Sequence, residues 1–159
     1  MRKGQAALEF LTTYGWAFLV ILIMIGALAY FGVLSPDTLL PSRCTFSPEI
    51  SCLEHEIISD DGAGNGILRF RARNNVGAMA DFTFGAIEIS SDVTANNCVV
   101  NPNNGNNIRS GRIMAVNCTF TGNTFPKGDK VKFEVIANFT KAGGSYVTPI
   151  RGEIYATAR

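Results

Sequence analysis

Few residues in this chain are equipped for chemistry, and their spacing limits what each can do. His55 is the single histidine. A metal or general-base site draws on several such groups, so His55 reads as a strand residue sharing a face with Leu53 and Ile57, with Glu54 and Glu56 opposite. The Asp60-Asp61 pair runs into "GAGNG". It lacks the acid spacing and closing glutamate of a calcium loop, and a polar hairpin turn accounts for it. No helical pattern follows those glycines, so they do not form a phosphate-binding loop. The expectation is therefore a non-enzyme with no catalytic residue, no metal ligand and no cofactor.

Cys44, Cys52, Cys98 and Cys118 have none of the C-x-x-C spacing of zinc or thiol-redox motifs. An even count beyond a hydrophobic segment fits disulfides in an exported domain, with buried free thiols as the alternative. Three pairings are open. Because each pair brackets one loop-rich stretch, Cys44 with Cys52 and Cys98 with Cys118 are preferred. "NCT" at Asn117 and "NFT" at Asn138 are glycosylation sequons.

The remaining chemical singularity is Glu9. Residues 14 to 34 contain no Asp, Glu, Lys or Arg, whereas residues 35 to 159 hold 12 basic and 12 acidic side chains. Twenty-one uncharged residues at ~1.5 Å each reach about 31 Å, the thickness of a bilayer's hydrocarbon core. The run is too long for a cleaved secretory signal. Arg2 and Lys3 before it keep the N-terminus in the cytoplasm and send the remainder outside. A simple uncleaved anchor would satisfy all of this and leave Glu9 without a task, although an acid at the bilayer centre costs about 2.5 to 3.5 kcal/mol and is usually paired or functional.

"RKGQAALEF", continuing into "EFLTTYGWA", resembles the class III signal peptide of archaeal type IV pilins: a short basic leader ending in Lys-Gly, then Gln, then Glu at the fifth mature position. The resemblance covers about residues 2 to 34 and is only architectural beyond them. It implies cleavage between Gly4 and Gln5 by a prepilin peptidase, leaving a leader of residues 1 to 4 and a helix retained in the mature protein. It further implies assembly with like subunits or related pilins by a platform and ATPase machinery, with membrane lipid as the environment before assembly. Glu9 and the new amine of Gln5 would set register between subunits. A helix N-terminus already carries about half a positive charge, to which that amine adds a full one, so the acid one turn away acquires a partner.

The elements that must carry these residues follow from periodicity. A hydrophobic helix spans 5 to 34, broken at Ser35-Pro36 and Pro41. Gly15 and Gly26 lie nearly on one face of it, for close helix contact or simply as common membrane-helix glycines. After a linker over 35 to 43, residues 44 to 159 alternate apolar and polar. Leu68, Phe70 and Ala72 share one face and Arg69, Arg71 and Arg73 the other; Val131 to Phe139 and Met114 to Phe120 follow the same rule, which turns Asn117 and Asn138 outward. Phe82 and Phe84 fall on even positions but Ile87 and Ile89 on odd ones, predicting a bulge at Gly85. Six or seven strands with Gly- and Asn-rich turns predict an α+β protein whose head is an antiparallel β-sandwich of immunoglobulin-like architecture. "ANNCVVNPNNGNNIRSG", residues 95 to 111, is an Asn-rich loop, with low-complexity disorder as the competing reading of 101 to 110. The formal net charge of +1 gives no reason to expect nucleic acid, and a solvated strand face accounts for the arginine stripe because aromatics for base stacking are absent. A membrane-anchored β module that never polymerises is the rival to a filament subunit; an exported enzyme is the more distant one.

Overall fold

The computed structural model describes residues 3–31 and 41–159, with helix side chains from Leu8 onward. The chain divides into two compact units, Met1–Leu40 and Pro41–Arg159. In the first, the helix α1 runs Lys3–Tyr30. The Phe31 N–H still reaches the Ala27 carbonyl at 3.0 Å, and the last residues of the expected span, 32 to 34, lie outside the described residues. Ser35, Pro36 and the rest of 32–40 lie outside the described residues.

The second unit consists of nine strands, β1 Arg43–Phe46, β2 Ile50–Ile58, β3 Gly66–Asn74, β4 Ala80–Glu88, β5 Val93–Thr94, β6 Asn97–Asn101, β7 Ile113–Phe120, β8 Lys130–Lys141 and β9 Val147–Thr157. They form a five-stranded sheet in the order β1-β9-β8-β4-β5 and a four-stranded sheet in the order β2-β3-β7-β6, and every strand pairing is antiparallel. The protein is thus α+β with a β-sandwich head. In constant-type immunoglobulin sandwiches the first two strands are neighbours, whereas here β1 lies beside β9. The likeness is one of architecture, with its own connectivity.

Alternation decides what faces inward. In β8, Val131, Phe133, Val135, Ala137 and Phe139 are buried, and in β3 Leu68, Phe70 and Ala72 are, while Arg69, Arg71 and Arg73 are exposed. Phe120, Phe125 and Phe133 meet pairwise with ring centroids 5.2 Å apart. Burying each such side chain contributes about 1.5–3 kcal/mol.

Two strand expectations need correction. β4 pairs with β8 in unbroken register through Gly85↔Ile136, so there is no bulge at Gly85. Ala86 and Glu88, not Ile87, take the inward positions. The inward acid is tolerated because Glu88 accepts the Ser90 N–H at 2.9 Å, the Ser91 N–H at 2.7 Å and the Ser91 hydroxyl. Burial pushes its carboxyl up, but those bonds outweigh it and hold the group below its ordinary value. The bulge is in β2, between Cys52 and Glu54. It moves the inward set from Ile50 and Cys52 to His55 and Ile57, and leaves Leu53 exposed rather than beside His55.

The connections β1–β2, β3–β4, β6–β7 and β8–β9 all lie at the end of the sandwich opposite Arg43, the residue that opens β1. The Asn-rich connection there is an ordered loop rather than a disordered stretch. Ile108 is buried and bridges Ala80 through two backbone bonds, 3.0 and 2.9 Å. Gly105, at φ +83°, packs so closely that an added Cβ would come within 2.2 Å of the Phe82 carbonyl oxygen. Asn74, fully buried, donates to the Ala78 and Ile108 carbonyls at 3.0 and 2.8 Å and accepts the Val76 N–H at 2.9 Å.

Candidate functional site

The residues singled out in the leader lie in the first turns of α1. Gly4 and Gln5 are helical, and Glu9 follows Gln5 by four positions, one turn further along. Leu8–Tyr30 is 23 residues long, its 18-residue window reaches a mean hydropathy of 2.0, and no residue of that window is buried. Phe10, Leu11, Trp16, Phe18 and Ile23 all project at more than 60 % exposure. A helix apolar on every side has no face suited to water, and by length and composition it fits a bilayer or a bundle of similar helices. Its polar side chains are consistent with that. The Thr12 hydroxyl donates to the Leu8 carbonyl at 3.0 Å and the Thr13 hydroxyl to the Glu9 carbonyl at 2.9 Å, so neither needs an external partner in an apolar medium. Glu9 is different: exposed, it forms no ion pair with any described residue. Gly15 and Gly26 both offer open space, with nothing within 4 Å of an added Cβ.

In the head, Cys44 is bonded to Cys52 and Cys98 to Cys118. The first bond joins β1 of the five-stranded sheet to β2 of the four-stranded sheet, a staple across the sandwich. The second joins residues directly opposite on β6 and β7, with Cα atoms 4.0 Å apart, and encloses the Asn-rich connection. His55 sits beside the first bond, one of its ring nitrogens and the two sulfurs all within 4.8 Å of one another. Those sulfurs are committed to each other and present no thiolate to a metal. The His55 Nε2 is shielded and has no hydrogen-bond partner, and burial lowers the imidazole's pKa. A neutral ring, packed at the sheet edge, is the consequence.

The Asp60-Asp61 turn directs its carboxylates at its own backbone. Asp60 accepts the Gly62 and Gly64 N–H groups at 2.9 and 3.0 Å, and Asp61 accepts that of Ala63 at 2.8 Å and the Asn65 amide at 3.0 Å. The Asn65 bond leads in holding Asp61 below its ordinary value. Along the arginine stripe, Arg69 pairs with Glu56 at 3.6 Å and Arg71 with Glu54 at 3.2 Å; Arg73 has no such partner among the described residues. The sequon asparagines are half-exposed on outer faces, Asn117 between Arg69 and Val99 and Asn138 between Thr83 and Pro149. Sequence reasoning missed Arg109 and Arg112 of the Asn-rich loop, which form no ion pair with a described residue; the signal available was their three-residue spacing within a stretch free of acids.

Comparison with protein-family models, with curated proteins and with solved structures returns no match to this chain.

Proposed function

We propose that this chain is the precursor of a structural subunit of an archaeal type IV pilus-like surface filament. A prepilin peptidase cuts between Gly4 and Gln5, the helix anchors the subunit in the membrane with the head outside, and assembly transfers that helix from lipid into contact with other copies. The observation that carries the reading is the combination in α1: an all-round apolar surface interrupted by one acid, Glu9, four positions after the Gln that follows the Lys-Gly of a basic leader. Lipid and a bundle of like helices satisfy the apolar surface equally well. Glu9 distinguishes them, because a carboxylate that enters an apolar bundle requires a positive partner, and the Gln5 amine of another subunit supplies it. The disulfide-stapled sandwich suits an oxidising exterior. The head's chemistry is that of a displayed module rather than an enzyme.

The cleavage step is tested by sequencing the N-terminus of the mature protein recovered from cells that contain the peptidase. A chain beginning at Gln5 supports processing; one beginning at Met1 selects instead a membrane-anchored β module that does not polymerise.

A further inference from the structure

At the end of the head opposite Arg43, three arginines are carried on adjoining stretches of backbone. Arg73 ends the outward stripe of β3 and pairs by Cα with Ile113. The neighbouring Asn74 N–H donates to the Arg112 carbonyl at 3.0 Å, and the Arg112 N–H donates to that of Arg109 at 3.0 Å. All three side chains are exposed. Whereas Arg43, Arg69, Arg71 and Arg151 each face a glutamate, these three form no ion pair with a described residue. Two open cavities of about 450 and 650 Å³ meet here, sharing Pro102 and Arg112; one continues past Arg109 to Met79, the other along the sheet to Arg71. Neither lining includes an acid. Arg73 lines neither cavity itself but pairs across the sheet with Ile113, which lines the larger one; Asp81, whose Oδ1 accepts the Asn107 N–H at 2.6 Å, likewise lines neither.

The setting is also rigid. The buried Asn74 and the Ala80–Ile108 bridge fix the loop that carries Arg109 and Arg112, so these side chains sit on a preorganised backbone and less ordering cost falls on binding. We propose that this corner binds an acidic polysaccharide, its carboxylate or sulfate groups on the guanidinium forks of Arg73, Arg109 and Arg112 and its hydroxyls on the carboxamides of Asn103 and Asn107. A guanidinium engages planar or tetrahedral oxyanions through two parallel bonds. A carboxamide offers both a donor and an acceptor to a hydroxyl, and neither of these asparagine side chains is hydrogen-bonded to a described residue. A trough spanning two joined cavities suits a chain rather than a single small ion. Neither lining contains an aromatic ring, which disfavours single-stranded nucleic acid, since that is held largely by base stacking. The site does not depend on whether the subunits polymerise.

The test is binding of the full chain in detergent micelles to polygalacturonate, dextran sulfate, neutral dextran and single-stranded DNA. At least one of the two acidic polysaccharides is expected to bind, more tightly than either neutral dextran or the DNA, and which one does so identifies the preferred oxyanion. Replacing Arg73, Arg109 and Arg112 together by Gln should weaken that binding by roughly tenfold or more. A control that removes three charges elsewhere, Lys127→Gln with Lys132→Gln and Arg151→Gln, should weaken it far less, and thermal melting confirms that both variants fold. Failure of both acidic polysaccharides to bind, equal losses in the two variants, or neutral dextran binding as tightly would overturn the proposal. Tighter binding of the DNA through the same arginines would overturn it in favour of a nucleic-acid site.

Discussion

The Nδ2 of Asn74 donates to the Ile108 carbonyl across 2.8 Å, and both residues are almost completely buried. Through this contact the end of β3 holds an asparagine-rich connection that its composition alone would leave loose. The same side chain serves the Ala78 carbonyl and the Val76 N–H. Asn74→Ala therefore removes one buried and two part-buried hydrogen bonds, each contributing about 0.5–1.5 kcal/mol. A loss of roughly 2–4 kcal/mol in total is expected, read as a lowered midpoint in denaturant titration; a variant as stable as the parent would show that the contact does not hold the loop.

Gly105 and Gly111 both have positive φ, +83° and +78°, but only Gly105 is enclosed. Gly111→Ala should cost no more than the ~1–2 kcal/mol of a left-handed alanine. Gly105→Ala should cost clearly more, because its Cβ would meet the Phe82 carbonyl oxygen at 2.2 Å and the backbone itself would have to move. Equal thermal shifts in the two variants would contradict this packing.

Acid should weaken the head through His55. Its pKa is lowered from 6.5 by burial, so between that ordinary value and the lowered one the unfolded chain binds more protons than the folded chain, and stability falls as pH falls. His55→Leu removes both this dependence and the partnerless buried nitrogen. Melting curves of the parent and H55L should diverge as pH drops below about 6.5, with the variant the less sensitive.

Each disulfide can be weighed by the loop it closes. Sequence separations of 8 for Cys44–Cys52 and 20 for Cys98–Cys118 correspond to about 2.5 and 3.3 kcal/mol on chain-entropy reasoning. Replacing either pair by alanine should lower the melting temperature. Only loss of Cys44–Cys52 should also loosen one sheet from the other, visible as faster amide exchange in β1 and β2.

Much of this fold was legible in the sequence because half-buried strands advertise themselves by alternation, as in Val131 to Phe139 and Leu68 to Ala72. The strands that escaped notice, β1 with four residues and β5 with two, are too short to display a period. Ile87 and Ile89 read as core residues by hydropathy and so point to a bulge at Gly85, whereas the structure has it in β2. A buried glutamate satisfied by its own turn gives no signal in hydropathy, whereas the shift from Ile50 to Ile57 across Cys52 did mark the real bulge. In the leader, Gly4, Gln5 and Glu9 could be singled out only by their register. The arginine corner depends on β3 meeting a loop some 35 residues later, a proximity that no local pattern reveals.

The central claim is that Glu9 acts between subunits rather than within a lone anchor. It is tested most directly by electron microscopy of surface filaments, immunolabelled for this chain, from cells carrying the parent or Glu9→Ala. The account predicts labelled filaments with the parent and none with E9A, although the variant remains membrane-inserted and cleaved before Gln5. Labelled filaments of normal number and length from the E9A cells would contradict it.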